Sequence, residues 1–129
     1  MTSQATAAAV DVRIVLAGLW TALMLIYLLG DVLRIFAGDF EAGRMQGQAV
    51  GQGMWLVAAA VMMVPISMIV LSLMLPFPAI RWVSLVASGF LVLFNLVGLP
   101  YKGLYDNVLI VVGFVVNGLI IWQAWQWDG

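Results

Sequence analysis

The chain predicts an all-α fold, an integral membrane four-helix bundle running up-down-up-down. Three observations carry that expectation. Apolar stretches occupy residues 14–30, 54–75, 83–99 and 108–122, each near the ~20 residues a helix needs to cross a ~30 Å hydrocarbon core. None of them alternates with a period of two, so they are helices and not barrel strands, the only other structure that satisfies its backbone in lipid. Hydrophobic residues make up 65% of the chain and charged residues 9%. A soluble domain carries roughly 25% charge, so the polar surface of a water-soluble globule is missing. The 129 residues suffice for one bundle, a single domain over 1–129.

The elements follow in order. Residues 1–10 are Ala-rich and uncharged in their side chains. They lack the basic start and the short apolar core of a secretory signal, so the first helix is expected to be a retained span over about 11–36. The connection 38–53 is the longest and most polar part of the chain, with glycines at 38, 43, 47, 51 and 53. Each glycine costs a helix about 1 kcal/mol against alanine, so at most a short interfacial helix around 40–48 is expected there. The second span covers about 52–75 and contains Pro65, where a kink is expected. Pro76 and Pro78 end it, because proline cannot continue the hydrogen-bond ladder and disfavours helix just before it. The third span, about 81–99, stops at Pro100, and the segment 100–107 leads to the fourth, about 104–125. Short connections favour helices that return beside their predecessors.

An even number of spans places both ends of the chain on one side, side A, with Arg13, Arg81, Trp82, Trp122, Trp125 and Trp127. Side B takes Arg34, Arg44, Lys102, Trp55, Tyr101 and Tyr105. The aromatic residues fit two interfacial belts, but the positive charges are too evenly split to orient the protein.

The chain has no cysteine and no histidine. Thiol redox chemistry, disulfides, imidazole metal sites and haem ligation by these residues are thereby excluded, as is the commonest general base. A net charge of −1 offers no attraction to nucleic acid. Methionines 54, 62, 63, 68 and 74 are ordinary gap-fillers in apolar packing. No catalytic residue and no metal set is expected, and no residue pattern assigns a cofactor.

The polar residues at membrane depth are the candidates for function. Asp31 and Arg34 share a helix face at a spacing of three and should pair, with Asp106 as an alternative partner for Arg34. Counting 1.5 Å per residue puts Asn95 about 7 Å and Asn117 about 15 Å from side B, a height difference that argues against a direct pair. Both could simply bond between helices. Tyr27, Asp31, Arg34, Asn95, Tyr105, Asp106 and Asn107 all fall in the side-B half. They are the candidates for a polar pocket beneath the Gly-rich connection, which would act as a lid. The small residues Gly18 and Ala22, Ser84 and Ser88, and Gly113 beside Asn117 allow close approach of helices, within one chain or between two.

Several stretches have a family look: LW…YLLGDVLRIF over 19–36, PISMIVLSLMLP over 65–76, RW at 81–82, and LYDN…WQAWQW over 104–127. Together they resemble small four-helix bacterial membrane proteins of the DoxX-like type and the uncharacterised families around them. The resemblance implies a bacterial inner-membrane location with cytoplasmic termini, and quinone-linked or membrane-complex roles of the kind associated with some members. Relatives often carry a Glu before the helix-2 proline and a polar residue before RW. Here those places hold Met63 and Ile80, which leaves Asp31 as the acid expected at membrane depth. The leading functional expectation is a non-enzymatic membrane subunit or accessory factor. Its partners would be the lipid bilayer and a second copy or another membrane protein. The alternatives are a small oligomeric transporter or channel using the side-B pocket, and a DoxX-like quinone- or lipid-linked enzyme.

Overall fold

The computed structural model describes residues 11–38, 44–45, 48–49, 51–98 and 103–127. Four long helices dominate: α1 (Val12–Phe36), α2 (Gln52–Met74), α3 (Ala79–Gly98) and α4 (Leu104–Gln126). All four are long and apolar enough to cross a membrane.

Local chemistry sets the helix ends. Asp11 caps α1, its carboxylate accepting the Arg13 amide at 2.9 Å, which satisfies one of the orphan donors of the first turn. At the other end Gly38 adopts a φ of 80°, the left-handed conformation in which glycine commonly closes a helix. Helix α2 runs unbroken through Pro65 and ends at Met74, just before Pro76. Helix α3 begins at Ala79, two residues ahead of the arginine expected to open it. The amides of Ile80 and Trp82 already donate to the Pro76 and Pro78 carbonyls, at 3.1 and 3.4 Å, so the helix starts directly behind the proline turn, whose Phe77–Pro78 bond is cis.

Between α1 and α2, β1 (Arg44–Met45) pairs antiparallel with β2 (Gln48–Ala49), Arg44 facing Ala49 and Met45 facing Gln48. This corrects the short helix expected around 40–48. Strand pairing satisfies backbone groups between residues whose neighbouring glycines would weaken a helix. The lid assigned to this connection falls largely on residues outside the described ones, as do Tyr101 and Lys102.

The bundle is apolar outside and partly polar inside. On α3 the buried stripe is Ile80, Ser84, Ser88, Leu91 and Asn95, while Val86, Leu93, Phe94 and Val97 are exposed. On α4 it is Asp106, Ile110, Gly113, Asn117, Ile120 and Ala124. Both stripes follow the helical spacing of three and four, with the polarity of a water-soluble helix reversed. A compact apolar core of Leu16, Trp20, Leu23, Met68, Ile80, Leu91 and Ile120 fills the centre. Helix α1 packs on α2 and α4, and α3 on α4, whereas α2 and α3 touch least. The gap between α2 and α3 is an open apolar groove of about 680 Å³.

Two arginines close one end of the bundle. Arg13, in the first turn of α1, donates to the carbonyls of Leu75 and Ser72 at the end of α2 and lies 5.0 Å from the Trp127 ring. Arg81, in the first turn of α3, donates to the Trp125 carbonyl of α4 at 3.0 Å. Its guanidinium also sits 5.0 Å from the Trp125 ring and 5.3 Å from that of Trp82. Each arginine satisfies carbonyls that a helix C-terminus leaves without an internal partner, and its charge complements the helix dipole there.

Candidate functional site

The seven candidate residues separate into three groups. The first is ionic. Arg34 Nη2 lies 2.9 Å from Asp31 and its Nε lies 3.0 Å from Asp106. One guanidinium thus bridges two carboxylates, from α1 and from the first turn of α4. The carboxylates are not equivalent: the Asp31 side chain is 49% exposed and that of Asp106 only 4%. Asp106 is therefore the more buried acid, covered by α1, whereas Asp31, the acid expected at membrane depth, turns outward from the bundle. Gly30 lies against this bridge: a β-carbon there would meet Arg34, Asp106 and Leu109 at ordinary contact distances of 3.5 to 3.7 Å. Asp106 also gains from the α4 N-terminus, where the helix dipole favours negative charge.

The second group is neutral and lies deeper. Asn95 Nδ2 donates to the Tyr27 hydroxyl at 2.9 Å and to the Leu91 carbonyl at 2.9 Å. Asn117 Nδ2 donates to the Gly113 carbonyl at 3.1 Å and reaches the same Tyr27 hydroxyl at 3.5 Å. Ser88 Oγ donates to Asn117 Oδ1 at 2.8 Å. The chain Asn95–Tyr27–Asn117–Ser88 thus ties α1, α3 and α4 together. Asn95 and Asn117 are joined through the phenol and not directly. Gly113 packs beside that ring, and a β-carbon there would meet Tyr27 at an ordinary 3.7 Å.

Asn117 and Ser88 belong to this network although neither was among the pocket candidates. The signal was available: the α3 and α4 buried stripes place both on inward faces at matching depth. Counting from one membrane surface separated Asn117 from Asn95, and it ignored the reach of a tyrosine between them.

The third group serves the start of α4. Asn107 Nδ2 donates to the Gly103 carbonyl at 3.2 Å, and the Tyr105 ring lies against Gly103 so closely that a β-carbon there would collide with it. Both residues shape the first turn.

Two more buried polar atoms lie toward the other end. Trp20 Nε1 and Ser84 Oγ are fully covered and have no hydrogen-bond partner among the described residues. Ser84 stands one turn from Ser88 on the same stripe. Ser72 behaves differently, its hydroxyl donating to the Met68 carbonyl at 2.6 Å within its own helix.

The chemistry available here is ionic and hydrogen-bonding: a charge triad at one end and an amide–phenol–hydroxyl chain inside it. No curated protein and no solved structure matches this chain. A family model described as a family of unknown function (DUF6326) matches residues 9–128. With that match spanning nearly all of its length, the chain belongs to family DUF6326.

Proposed function

We propose that this protein is a non-enzymatic subunit or accessory factor of a bacterial inner membrane, crossing it four times up-down-up-down with both termini cytoplasmic. One observation carries the reading. Tyr27, Ser88, Asn95 and Asn117 are engaged with one another across α1, α3 and α4, as are Arg34 and Asp106 across α1 and α4, and many large apolar side chains along the helices are exposed. Such an interior locks a bundle, since interhelical hydrogen bonds in lipid contribute about 0.5–2 kcal/mol each. The contacts of Arg13 with the end of α2, Arg34 with the start of α4 and Arg81 with the end of α4 support the alternating course. The outer surface is then left to lipid and to a second copy or another membrane protein.

A second reading, a small oligomeric transporter or channel, is favoured by the imbalance of the triad. Two carboxylates share one guanidinium at the side-B end, in line with the Tyr27 chain below. A DoxX-like quinone- or lipid-linked enzyme has only the local sequence resemblance behind it. Single cysteines, Tyr27→Cys, Asn95→Cys and Asn117→Cys, separate the first two readings in a chain with no native thiol. A packed accessory bundle protects all three equally from polar thiol reagents. Labelling at 27 and 95 with 117 protected would overturn the accessory reading in favour of a pocket open to side B.

A further inference from the structure

We propose that the groove between α2 and α3 seats one acyl chain of an anionic phospholipid, with Arg81 holding the phosphate. The inference rests on the membrane reading above and adds a ligand class and a place for it.

Three observations lead there. First, the groove is apolar and opens outward, lined by Ala60, Met63 and Ser67 of α2 and by Trp82, Val86 and Phe90 of α3. A surface facing hydrocarbon is filled by hydrocarbon. Second, its length matches one leaflet. From Trp82 to Phe90 is eight residues, or about 12 Å of helix, against about half of a ~30 Å core. The groove begins in the first turn of α3 and ends near mid-span. An occupant coming from that end has its head at the α2–α3 turn and its tail pointing inward.

Third, a positive charge stands at that end. Both ion pairs among the described residues use Arg34. Arg81, next to Trp82 in sequence and stacked on its ring, has the Trp125 carbonyl as its hydrogen-bond acceptor and no carboxylate within salt-bridge distance among the described residues. Among the described residues, two indoles and one carbonyl are its neighbours, and none of them carries a negative charge. A guanidinium flanked by tryptophans at the headgroup level suits a phosphate. Arg81 does not line the groove itself but stands against Trp82, which does, so the charge beside an apolar groove favours an amphipathic anion over a second apolar helix.

The test uses the full chain purified in mild detergent and examined by native mass spectrometry with added phosphatidylglycerol or phosphatidylcholine of equal chain length. One phosphatidylglycerol is expected to be retained with about fivefold preference, which is about 1 kcal/mol for a single arginine near the surface. Arg81→Gln should reduce that preference to near unity, and Arg81→Lys should keep most of it. Ala60→Phe should lower retention of both lipids by filling the groove. If Arg81→Gln does not fold, Ala60→Phe and Arg81→Lys decide. Equal retention of both lipids by the native protein would overturn the proposal. So would a dimer that Ala60→Phe dissociates without any lipid bound, which would give the groove to a second copy. Failure of the membrane reading itself looks different: the protein would leave vesicles in an alkaline carbonate wash without detergent.

Discussion

Removing Arg34 should damage this protein more than removing either of its carboxylate partners. Arg34→Ala leaves Asp106 with a side chain only 4% exposed and no guanidinium beside it. Removing one partner of a buried ion pair costs about 3–5 kcal/mol, and the helix dipole at the start of α4 offsets about 0.5–1 kcal/mol of that. The expected loss is therefore roughly 2–4 kcal/mol. Asp106→Ala leaves Arg34, 31% exposed, still 2.9 Å from Asp31, so about 1–2 kcal/mol is expected. Asp31→Ala removes the half-exposed partner and should cost no more than about 1 kcal/mol. The double change Arg34→Ala with Asp106→Ala should be more stable than Arg34→Ala alone, with a coupling of about 1–3 kcal/mol. Equilibrium unfolding in mixed micelles, followed by tryptophan fluorescence, reads all four variants on one scale. Equal losses for Arg34→Ala and Asp31→Ala, or a double variant weaker than the single, would refute the bridge as the organising contact.

The other predictions address the interior and the helix ends. Ser88→Ala should cost about 1 kcal/mol because Asn117 Oδ1 loses its donor. Ser84→Ala, one turn away, should be neutral or stabilising because its hydroxyl is buried without a partner among the described residues; the same unfolding assay separates them, and equal effects would contradict the geometry. Tyr27→Phe should cost about 1–2 kcal/mol, since both amides keep a carbonyl on their own helix. A double cycle with Asn95→Ala should show coupling larger than one with Asn117→Ala, following the 2.9 and 3.5 Å contacts. Gly38→Ala should lose about 1 kcal/mol through its positive φ, visible as a lower thermal midpoint.

The spans were legible because 65% hydrophobic composition leaves long uninterrupted stretches, and prolines and glycines mark most of their ends. The Asp31–Arg34 pair was legible because a spacing of three is a property of one helix. Asp106 was harder. In sequence it sits in a polar connection, and its burial follows from α1 crossing α4 at Gly30, a tertiary event. Asn117 was seen as a buried amide and left out of the pocket, because rise per residue gives heights and not the reach of Tyr27. The early start of α3 was hidden because an arginine followed by a tryptophan resembles an interface, whereas the backbone bonding begins at the proline turn before it. The α2–α3 groove had no sequence signal. Helix α2 is apolar on every side, so its periodicity cannot say which face packs.

The side-chain polar contacts inside the bundle join α1, α3 and α4. Helix α2 takes part through Ser72, which bonds to its own Met68 carbonyl, and through the carbonyls that Arg13 reaches. Three staves are thus latched to one another by side-chain bonds, and the fourth is held by apolar packing on α1 and by Arg13 at its end. In lipid such packing has no hydrophobic drive behind it, because the surrounding hydrocarbon is as good a neighbour as another helix. A change in the spacing of α2 and α3 would break no hydrogen bond among α1, α3 and α4, so this gap is the joint where an added membrane segment would disturb the rest of the bundle least.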